Sequence, residues 1–444
     1  MPPPLAEQLS TAIHSFIAWL DQEGYESYDP YDLWGTRYGL FARRLYYAKN
    51  PFGLPLIAPI LAAETLLPSV RKFFVRKQRF ATSDAQILLA FLNLHALGER
   101  DRPGCASPLE TRNSKLKTLH LRPLSASIGE RPRGEVSSCA SATLHLQRAI
   151  NLGEDLLATS IPGYQGHCWG YPFDWQNNHG LWKKNTPFIT ATPYCFEAFL
   201  GLLDATADDR YFDVAKSIAR FVTQDLHDTS TSANAAAGSY SPIDHSQVIN
   251  ASAYRAMVLF EAAARFDDPA YRETAERNLN FILQNQREDG AWLYALDHPS
   301  DRFIDHFHTC FVLKNLVKLN RRTNSAAVTK AIEAGYAYYR RELFDAAGLP
   351  KSFAILPRRQ VVKLDLYNFA EAITLGVVLR DQIPQAFAEA QRLAALLISQ
   401  YQLPQGYFVS RVFIGGYRHT LPFLRWPQSQ LFYSLTNLLR AAGT

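Results

Sequence analysis

The segment FIDHFHTC places one carboxylate directly before an apolar helical run and two imidazoles within its first turn. Because a helix N-terminus carries partial positive charge, Asp305, His306 and His308 are expected to gather at that end. A carboxylate that orients an imidazole prepares it to act as a general acid or base near neutral pH. The alternative is a purely structural helix cap. A metal site is not expected, because residues two apart on a helix point in different directions and no third ligand is evident.

The stretch WGYPFDWQNNHG mixes aromatic rings, side-chain amides and one carboxylate, and it has no helical period. Carbohydrate sites use aromatic faces to stack on sugar rings, and they use planar amides and carboxylates to bind hydroxyl groups. The predicted stacking residues are Trp169, Tyr171 and Trp175, and the predicted hydroxyl-binding residues are Asp174, Gln176 and Asn177. The same aromatics could instead only pack the loop onto the helices.

Other segments add polar side chains at helical spacing. Asn250 and Tyr254 share one helix face, as do Asn368 and Glu371, and a glutamate in a nearly apolar helix needs a partner. Arg425 could clamp a uronate carboxylate or a phosphate, or form a surface salt bridge. The predicted catalytic residues are Asp174, Asp244, Asp305, His306 and Glu371. The predicted substrate-binding residues are Trp169, Tyr171, Trp175, Gln176, Asn177, Asn250, Tyr254, Trp292, His308, Asn368 and Arg425.

The helices that must position these residues alternate in character. The first of each pair is apolar on almost every side and the second has one charged face, as expected for inner and outer helices. Inner helices are predicted to begin near residues 192, 249, 306, 366 and 427, a period of roughly 57 to 61 residues. Turns from inner to outer helices are short, whereas the outer-to-inner connections are long. The pattern predicts an all-α fold, an (α/α) toroid whose long loops lie on one face around a central funnel.

Residues 1–444 are predicted to form one such domain, because further helices precede the regular repeat. At about residues 100–138 the sequence is rich in Arg, Ser and Pro and lacks apolar periodicity. This composition predicts a flexible insertion in the toroid.

Two motifs resemble known architectures. FILQNQREDGAWLY, with Gln286, Gly290 and Trp292, resembles the Gln-Trp repeat of the terpenoid-cyclase superhelical fold, and YQLPQGYF repeats it with Gln402 and Gly406. The wider arrangement of GYESYDPYDLWG, WGYPFDWQ and GAWLYALDHPSDRFIDHFHTCFVLKNL resembles a family of α/α-toroid proteins associated with bacterial exopolysaccharide biosynthesis. The resemblance implies an architecture related to six-hairpin glycosidases, toroid polysaccharide lyases and the helical domain of glucuronyl C5-epimerases.

Composition limits the other classes. With 47% hydrophobic and 20% charged residues and a net charge of +5, the chain is globular, and it has no run of Lys and Arg that would mark nucleic-acid binding. The longest apolar run, FGLPLIAPILAAETLLP, is too short and too rich in Pro to be a transmembrane segment. Five cysteines without a CxxC pair, and an N-terminus unlike a signal sequence, predict a cytoplasmic protein. No cofactor and no metal are predicted.

The favoured function is a carbohydrate-active protein of polysaccharide biosynthesis or modification that binds a glycan in its funnel. A lyase or epimerase would remove the C5 proton of a uronate with Tyr or His, whereas a hydrolase needs two carboxylates that face each other across the bond. The alternative is a non-catalytic glycan-binding or scaffold protein, with other polysaccharide-biosynthesis proteins as partners. A terpenoid cyclase or a prenyltransferase-like enzyme is less favoured, because neither DxDD nor DDxxD occurs.

Overall fold

Apolar residues at three- and four-residue spacing form the helices that the periodicity predicts. The computed structural model describes residues 4–100, 133–177, 180–356 and 360–443. The α-helices of these residues are α1 (Leu5–Glu23), α2 (Arg37–Tyr47), α3 (Gly53–Leu66), α4 (Ala81–Arg100), α5 (Arg133–Ala158), α6 (Thr192–Thr206), α7 (Asp209–Gln224), α8 (Ile249–Phe266), α9 (Ala270–Gln284), α10 (His306–Thr323), α11 (Ala326–Glu342), α12 (Leu366–Val378), α13 (Pro384–Tyr401) and α14 (Ser429–Ala442).

The helices form two concentric rings. Within the described ranges, the inner ring runs α4, α6, α8, α10, α12 and α14, and it closes because α14 packs against α4. An outer helix lies against each of them: α5, α7, α9, α11, α13 and α1. The first helix of the chain therefore pairs with the last, which completes six hairpins. The predicted all-α toroid of inner and outer helices is confirmed.

Burial explains which helices are inner and which are outer. In α12, every residue from Leu366 to Val377 is buried, because the helix is covered both by its inner neighbours and by its outer partner. The outer helix α7 buries one stripe, with Tyr211, Val214, Ala215 and Ile218 at helical spacing. A stripe of this kind suits a helix whose other face meets water. Side chains of both rings merge into one hydrophobic core.

The two Gln motifs tie successive outer helices together. Gln286 Nε2 donates to the carbonyl of Gly290 and to that of Ala331 on α11. Gln402 makes the equivalent pair of bonds, to the carbonyl of Gly406 and to that of Ala12 on α1. The repeated motif therefore also closes the ring, across 390 residues of sequence.

The described strands all lie in connections from an outer helix to the next inner helix. They form antiparallel pairs β1–β2, β3–β4 and β5–β6 and the three-stranded sheet β7–β8–β9. Their bounds are β1 (Trp175–Asn177), β2 (Gly180–Trp182), β3 (Asp228–Ser232), β4 (Ala235–Gly238), β5 (Ile304–Asp305), β6 (Phe353–Ile355), β7 (Val362–Asp365), β8 (Arg411–Phe413) and β9 (Arg418–His419). The long loops thus share the mouth face, as predicted.

Two N-terminal features add detail to the sequence prediction. The apolar run FGLPLIAPILAAETLLP forms α3, which with α2 makes an excursion between α1 and α4 and has a small core of its own. Across the described residues, no helix is long and apolar enough to cross a membrane. Most of the predicted insertion, residues 101–132, lies outside the described residues, and the chain is already helical from Arg133.

Candidate functional site

A deep cavity opens at the mouth of the toroid. Its volume is about 970 Å³, and 16 of the 33 described residues that line it are aromatic. The rings come from the mouth loops and from the mouth ends of the inner helices. A cavity of this volume can hold a ligand much larger than a solvent molecule. The many aromatic rings in its lining favour a ligand with flat apolar faces.

Asp305 and His308 form a hydrogen-bonded dyad in the cavity wall. Asp305 is the N-cap of α10, and its Oδ1 accepts the backbone N–H of His308 at 3.0 Å. Its Oδ2 lies 2.7 Å from Nδ1 of the same His308. The carboxylate can only accept, so Nδ1 carries the proton and Nε2 keeps its lone pair when the ring is neutral. Nε2 makes no hydrogen bond to any other described residue and can act on a ligand.

Aromatic rings fix the plane of the His308 imidazole. Its centroid lies 4.4 Å from that of Tyr294, and Tyr294 stacks in turn on Phe303 with centroids 4.8 Å apart. Phe307, the preceding residue on α10, contacts the ring from another side at 4.3 Å. All four residues line the cavity. Packing and the Asp305 hydrogen bond together hold His308 in one orientation.

Arg425 also lines the cavity and is bound by a carboxylate. Its Nε and Nη2 contact the two oxygens of Asp29 at 2.5 and 2.8 Å, and both side chains are buried. Nη1 approaches the Tyr171 hydroxyl at 3.5 Å, and the guanidinium lies over the Tyr171 ring. Because Asp29 already holds one edge of the guanidinium, a ligand anion can meet only the edge beside Tyr171.

Trp426 supplies a second rigid surface. Its ring stacks on Tyr367 with centroids 3.7 Å apart, and its Nε1 donates to the Asp365 carboxylate. Asp365 also binds Arg411 at 3.1 Å. Tyr367 thus holds one face of the Trp426 ring and Asp365 holds its edge, and an aromatic ring fixed in this way suits stacking on a flat apolar ligand face.

Four buried tyrosines of the lining remain neutral. Burial raises the pKa of Tyr194, Tyr254, Tyr294 and Tyr367 well above the ordinary value of a phenol. The hydroxyls of Tyr194 and Tyr254 lie 2.7 Å apart and share a hydrogen bond. These phenols can donate or accept hydrogen bonds, but they are poor bases near neutral pH.

Seven of the predicted site residues line the cavity together. They come from three mouth loops and from α8 and α10, and they are Tyr171, Trp175, Asn177, Tyr254, Asp305, His308 and Arg425. Asn250 and Trp292 border only a separate space of about 10 Å³ next to Asp305 and His308. Both amide atoms of Asn250 are buried without a hydrogen-bond partner in the described residues.

The predicted catalytic residue His306 lies in the core. It is fully buried between α10 and α11, where its Nε2 lies 2.9 Å from the Tyr339 hydroxyl and its Nδ1 lies 3.3 Å from the Leu343 carbonyl. Burial lowers the pKa of His306 to about 3, so the ring is neutral. A residue two positions before His308 on a helix faces a very different direction, and here that direction is the outer ring.

Two other polar candidates also face helix interfaces. Glu371 forms a buried ion pair with Lys314 of α10, with Nζ and Oε2 2.5 Å apart. Asn368 Nδ2 contacts the Ser352 hydroxyl at 3.5 Å. Neither side chain lines the cavity, because α12 turns them toward α10 and toward the loop before β6.

The remaining predicted residues organise the loops. Asp174 Oδ1 accepts the backbone N–H of Lys184, and Asp244 accepts backbone N–H groups of its own loop, including that of Ser246 at 2.9 Å. Gln176 Nε2 donates to the neighbouring Asn177 carbonyl. The fully buried Trp169 donates its Nε1 proton to the Leu156 carbonyl, as Trp292 does to the Ile282 carbonyl.

Several lining residues are outside the predicted set. Tyr194 and Phe311 belong to inner helices, and in sequence they look like ordinary core residues. Tyr294 and Phe303 flank the dyad, and their only signal is their place in the loop that leads to FIDHFHTC. Over the described part of the chain, no group of three or more His, Cys, Asp and Glu side chains could hold a metal ion.

The comparisons with known proteins identify the class of fold. No protein-family model and no curated protein sequence matches the chain. Among solved structures, it resembles a GH76 α-mannanase from Bacteroides thetaiotaomicron, with TM-score 0.52 and 11% identity over 82% of this chain and 86% of the mannanase. It also resembles a D-mannose isomerase, with TM-score 0.54 and 10% identity over 82% of this chain and 87% of the isomerase. The protein has the six-hairpin (α/α)-toroid fold of these enzymes.

Proposed function

We propose that the protein is a carbohydrate-active enzyme that binds a glycan in the mouth cavity and transfers a proton with His308. The observation that carries this proposal is the Asp305–His308 dyad, held by stacked rings in a large aromatic cavity. In this assignment Asp305 orients the imidazole, and Nε2 takes a proton from a sugar carbon beside a carbonyl or carboxylate.

The choice of a glycan rests on the lining. Trp426 and Trp175 line the cavity and are assigned to stacking on sugar rings, while Asn177, Thr190 and Gln430 offer polar atoms for hydroxyl groups. The mannanase and the mannose isomerase, which share the fold, both act on sugars.

Proton transfer fits the described lining better than hydrolysis by two carboxylates. Asp301 and Asp305 are the described carboxylates of the lining, and Asp305 is engaged with His308 through both of its oxygens. Because the buried tyrosines Tyr194, Tyr254, Tyr294 and Tyr367 stay protonated, the base is assigned to His308, and a phenol such as Tyr294 can donate a hydrogen bond to the oxygen on which charge develops. Epimerase, isomerase or lyase chemistry follows, according to whether the proton returns to carbon or a neighbouring group leaves.

The biological setting is also part of the proposal. The resemblance of the mouth motifs to toroid proteins of exopolysaccharide biosynthesis supports a substrate that is a polysaccharide or its precursor, with other biosynthesis proteins as partners. Cys168, Cys195 and Cys310 are buried free thiols, which suits a reducing cytoplasm.

Deuterium exchange tests the chemistry directly. Purified protein is incubated in deuterated buffer with uronate-containing and neutral oligosaccharides, and proton NMR follows exchange at sugar carbons and the appearance of unsaturated or epimerised products. His308→Gln is expected to lower the rate by 10²-fold or more, as for loss of a general base. His306→Gln is the matched control, because this neighbouring histidine faces the core.

Each outcome has a clear meaning. Loss of exchange in His308→Gln with retention in His306→Gln supports the assignment. Cleavage without deuterium incorporation or unsaturation would make the protein a hydrolase and contradict the proton-transfer step. Calorimetric binding of a glycan without any turnover would favour the alternative of a non-catalytic glycan-binding protein.

A further inference from the structure

The connection between α1 and α4 has an unusual surface. Of the 18 large apolar residues exposed in the described chain, ten fall between Tyr38 and Phe74, and seven more lie on other mouth connections. Leu144 on α5 is the remaining one. Isolated exposed apolar residues are common, but their concentration on one face indicates an interaction surface.

The most exposed apolar side chains between Tyr38 and Phe74 lie on α3 and its flanks. Their exposure lies between 64% and 74%, and they are Phe52, Leu54, Leu66, Leu67, Phe73 and Phe74. The one charged residue within α3 is Glu64, and it turns inward to pair with Arg71. The outward surface of α3 is therefore apolar.

Positive charge is concentrated in the same segment. Residues 37–77 contain eight Lys and Arg and one acidic residue, a net charge of +7 in a chain whose total is +5. Two of the cations lie beside exposed apolar side chains: the Arg44 guanidinium contacts the Phe41 ring and the Lys72 ammonium contacts the Phe73 ring. We call residues 37–77 the mouth platform.

We propose that the mouth platform docks the protein onto a membrane surface that contains anionic lipids. A bilayer accepts protruding Phe and Leu side chains without a matching groove, while its lipid headgroups attract the cations beside them. A protein partner would need a shaped recess or complementary carboxylates. The described platform instead offers exposed Phe and Leu side chains, and exposed cations such as Arg44 and Lys72 lie beside some of these apolar residues.

The platform is continuous with the cavity. Tyr47, Lys49 and Leu54 belong both to the platform and to the cavity lining. Docking would therefore bring the mouth toward the lipid surface, where a glycan attached to a lipid could enter it. That last consequence rests on the proposed function, whereas docking itself does not.

Vesicle co-sedimentation tests docking without any glycan. The full chain is mixed with vesicles of phosphatidylcholine alone, or with 30 mol% phosphatidylglycerol (about a third of the lipid, enough for a strongly negative surface). We expect binding to the anionic vesicles at low salt and its loss in high salt. Phe73→Ala with Phe74→Ala is expected to weaken binding about tenfold or more, and Lys72→Gln about fivefold.

Leu144→Ala is the matched control, since it removes an exposed leucine that lies on α5, outside the platform. Its vesicle binding should equal that of the parent, and all variants should keep the parent's melting temperature. Absence of binding to anionic vesicles, or binding that the platform substitutions leave unchanged, overturns the proposal. Sedimentation velocity tests the alternative that a second copy of the chain binds the platform. If the parent is a dimer that the Phe73 and Phe74 changes disperse, and it does not bind vesicles, the platform is a subunit interface instead.

Discussion

The buried His306 makes stability depend on pH in a way that can be calculated. Burial lowers the pKa of His306 to about 3, whereas in the unfolded chain a histidine titrates near 6.5. Between these values the unfolded state binds a proton that the folded state does not, so acidification favours unfolding. The resulting loss in the free energy of unfolding is negligible at pH 7.5 and reaches about 2 kcal/mol at pH 5.

The perturbation that isolates this effect is His306→Gln, because a glutamine amide keeps a donor and an acceptor without titrating. Urea unfolding followed by tryptophan fluorescence gives the free energy of unfolding of both proteins at pH 7.5 and pH 5. The parent is expected to lose about 2 kcal/mol more than the variant on acidification. Tyr339→Phe is the control, since it deletes the same hydrogen bond but leaves the imidazole. Parallel losses in the parent and in His306→Gln would refute the argument that this ring is buried and neutral.

Three further changes test contacts that hold the fold. Asp29→Asn is expected to cost about 3–5 kcal/mol, because it leaves the buried Arg425 guanidinium uncompensated, and adding Arg425→Gln should recover part of that loss in urea unfolding. Gln402→Ala removes two hydrogen bonds to backbone carbonyls and should lower the free energy of unfolding by about 1–3 kcal/mol; an unchanged value would mean that the ring is not closed there. Gly406→Ala places a methyl group 2.1 Å from a backbone carbonyl oxygen of α1, whereas Gly415→Ala meets no atom within 4 Å. Both glycines have positive φ, so a larger fall in melting temperature for Gly406→Ala would report the close approach, and equal falls would contradict it.

Much of the fold is local in sequence and was therefore predictable. Inner helices predicted near residues 192, 249, 306 and 366 begin at Thr192, Ile249, His306 and Leu366. Ring closure depends instead on contacts between the two ends of the chain, for which the periodicity of a single helix gives no signal. The repeated Gln motif at Gln402 is the one local trace of that closure.

The site was less predictable than the fold, because it depends on the direction in which each side chain points from its helix. His306 and His308 have the same chemistry and almost the same position, yet one faces the outer ring and the other faces the cavity. The sequence shows that both begin an inner helix, but not which face of that helix meets the funnel. Inner helices are apolar toward their neighbours as well as toward an aromatic cavity, so hydrophobic periodicity cannot separate Phe311 from a core residue.

Two N-cap residues show how the ring of helices also builds the site. Asp305 caps α10 with one oxygen and holds His308 Nδ1 with the other, while Asp365 accepts the backbone N–H of Tyr367 on α12 and also binds Trp426 Nε1. Inner helices begin at the mouth, so the carboxylates that satisfy their free N–H groups are already at the cavity wall. Each N-cap carboxylate has a second oxygen or lone pair that the helix N–H group does not use. In both helices this acceptor fixes a side chain that lines the cavity. The residues that cap the helices thus also set the positions of the His308 imidazole and of the Trp426 ring.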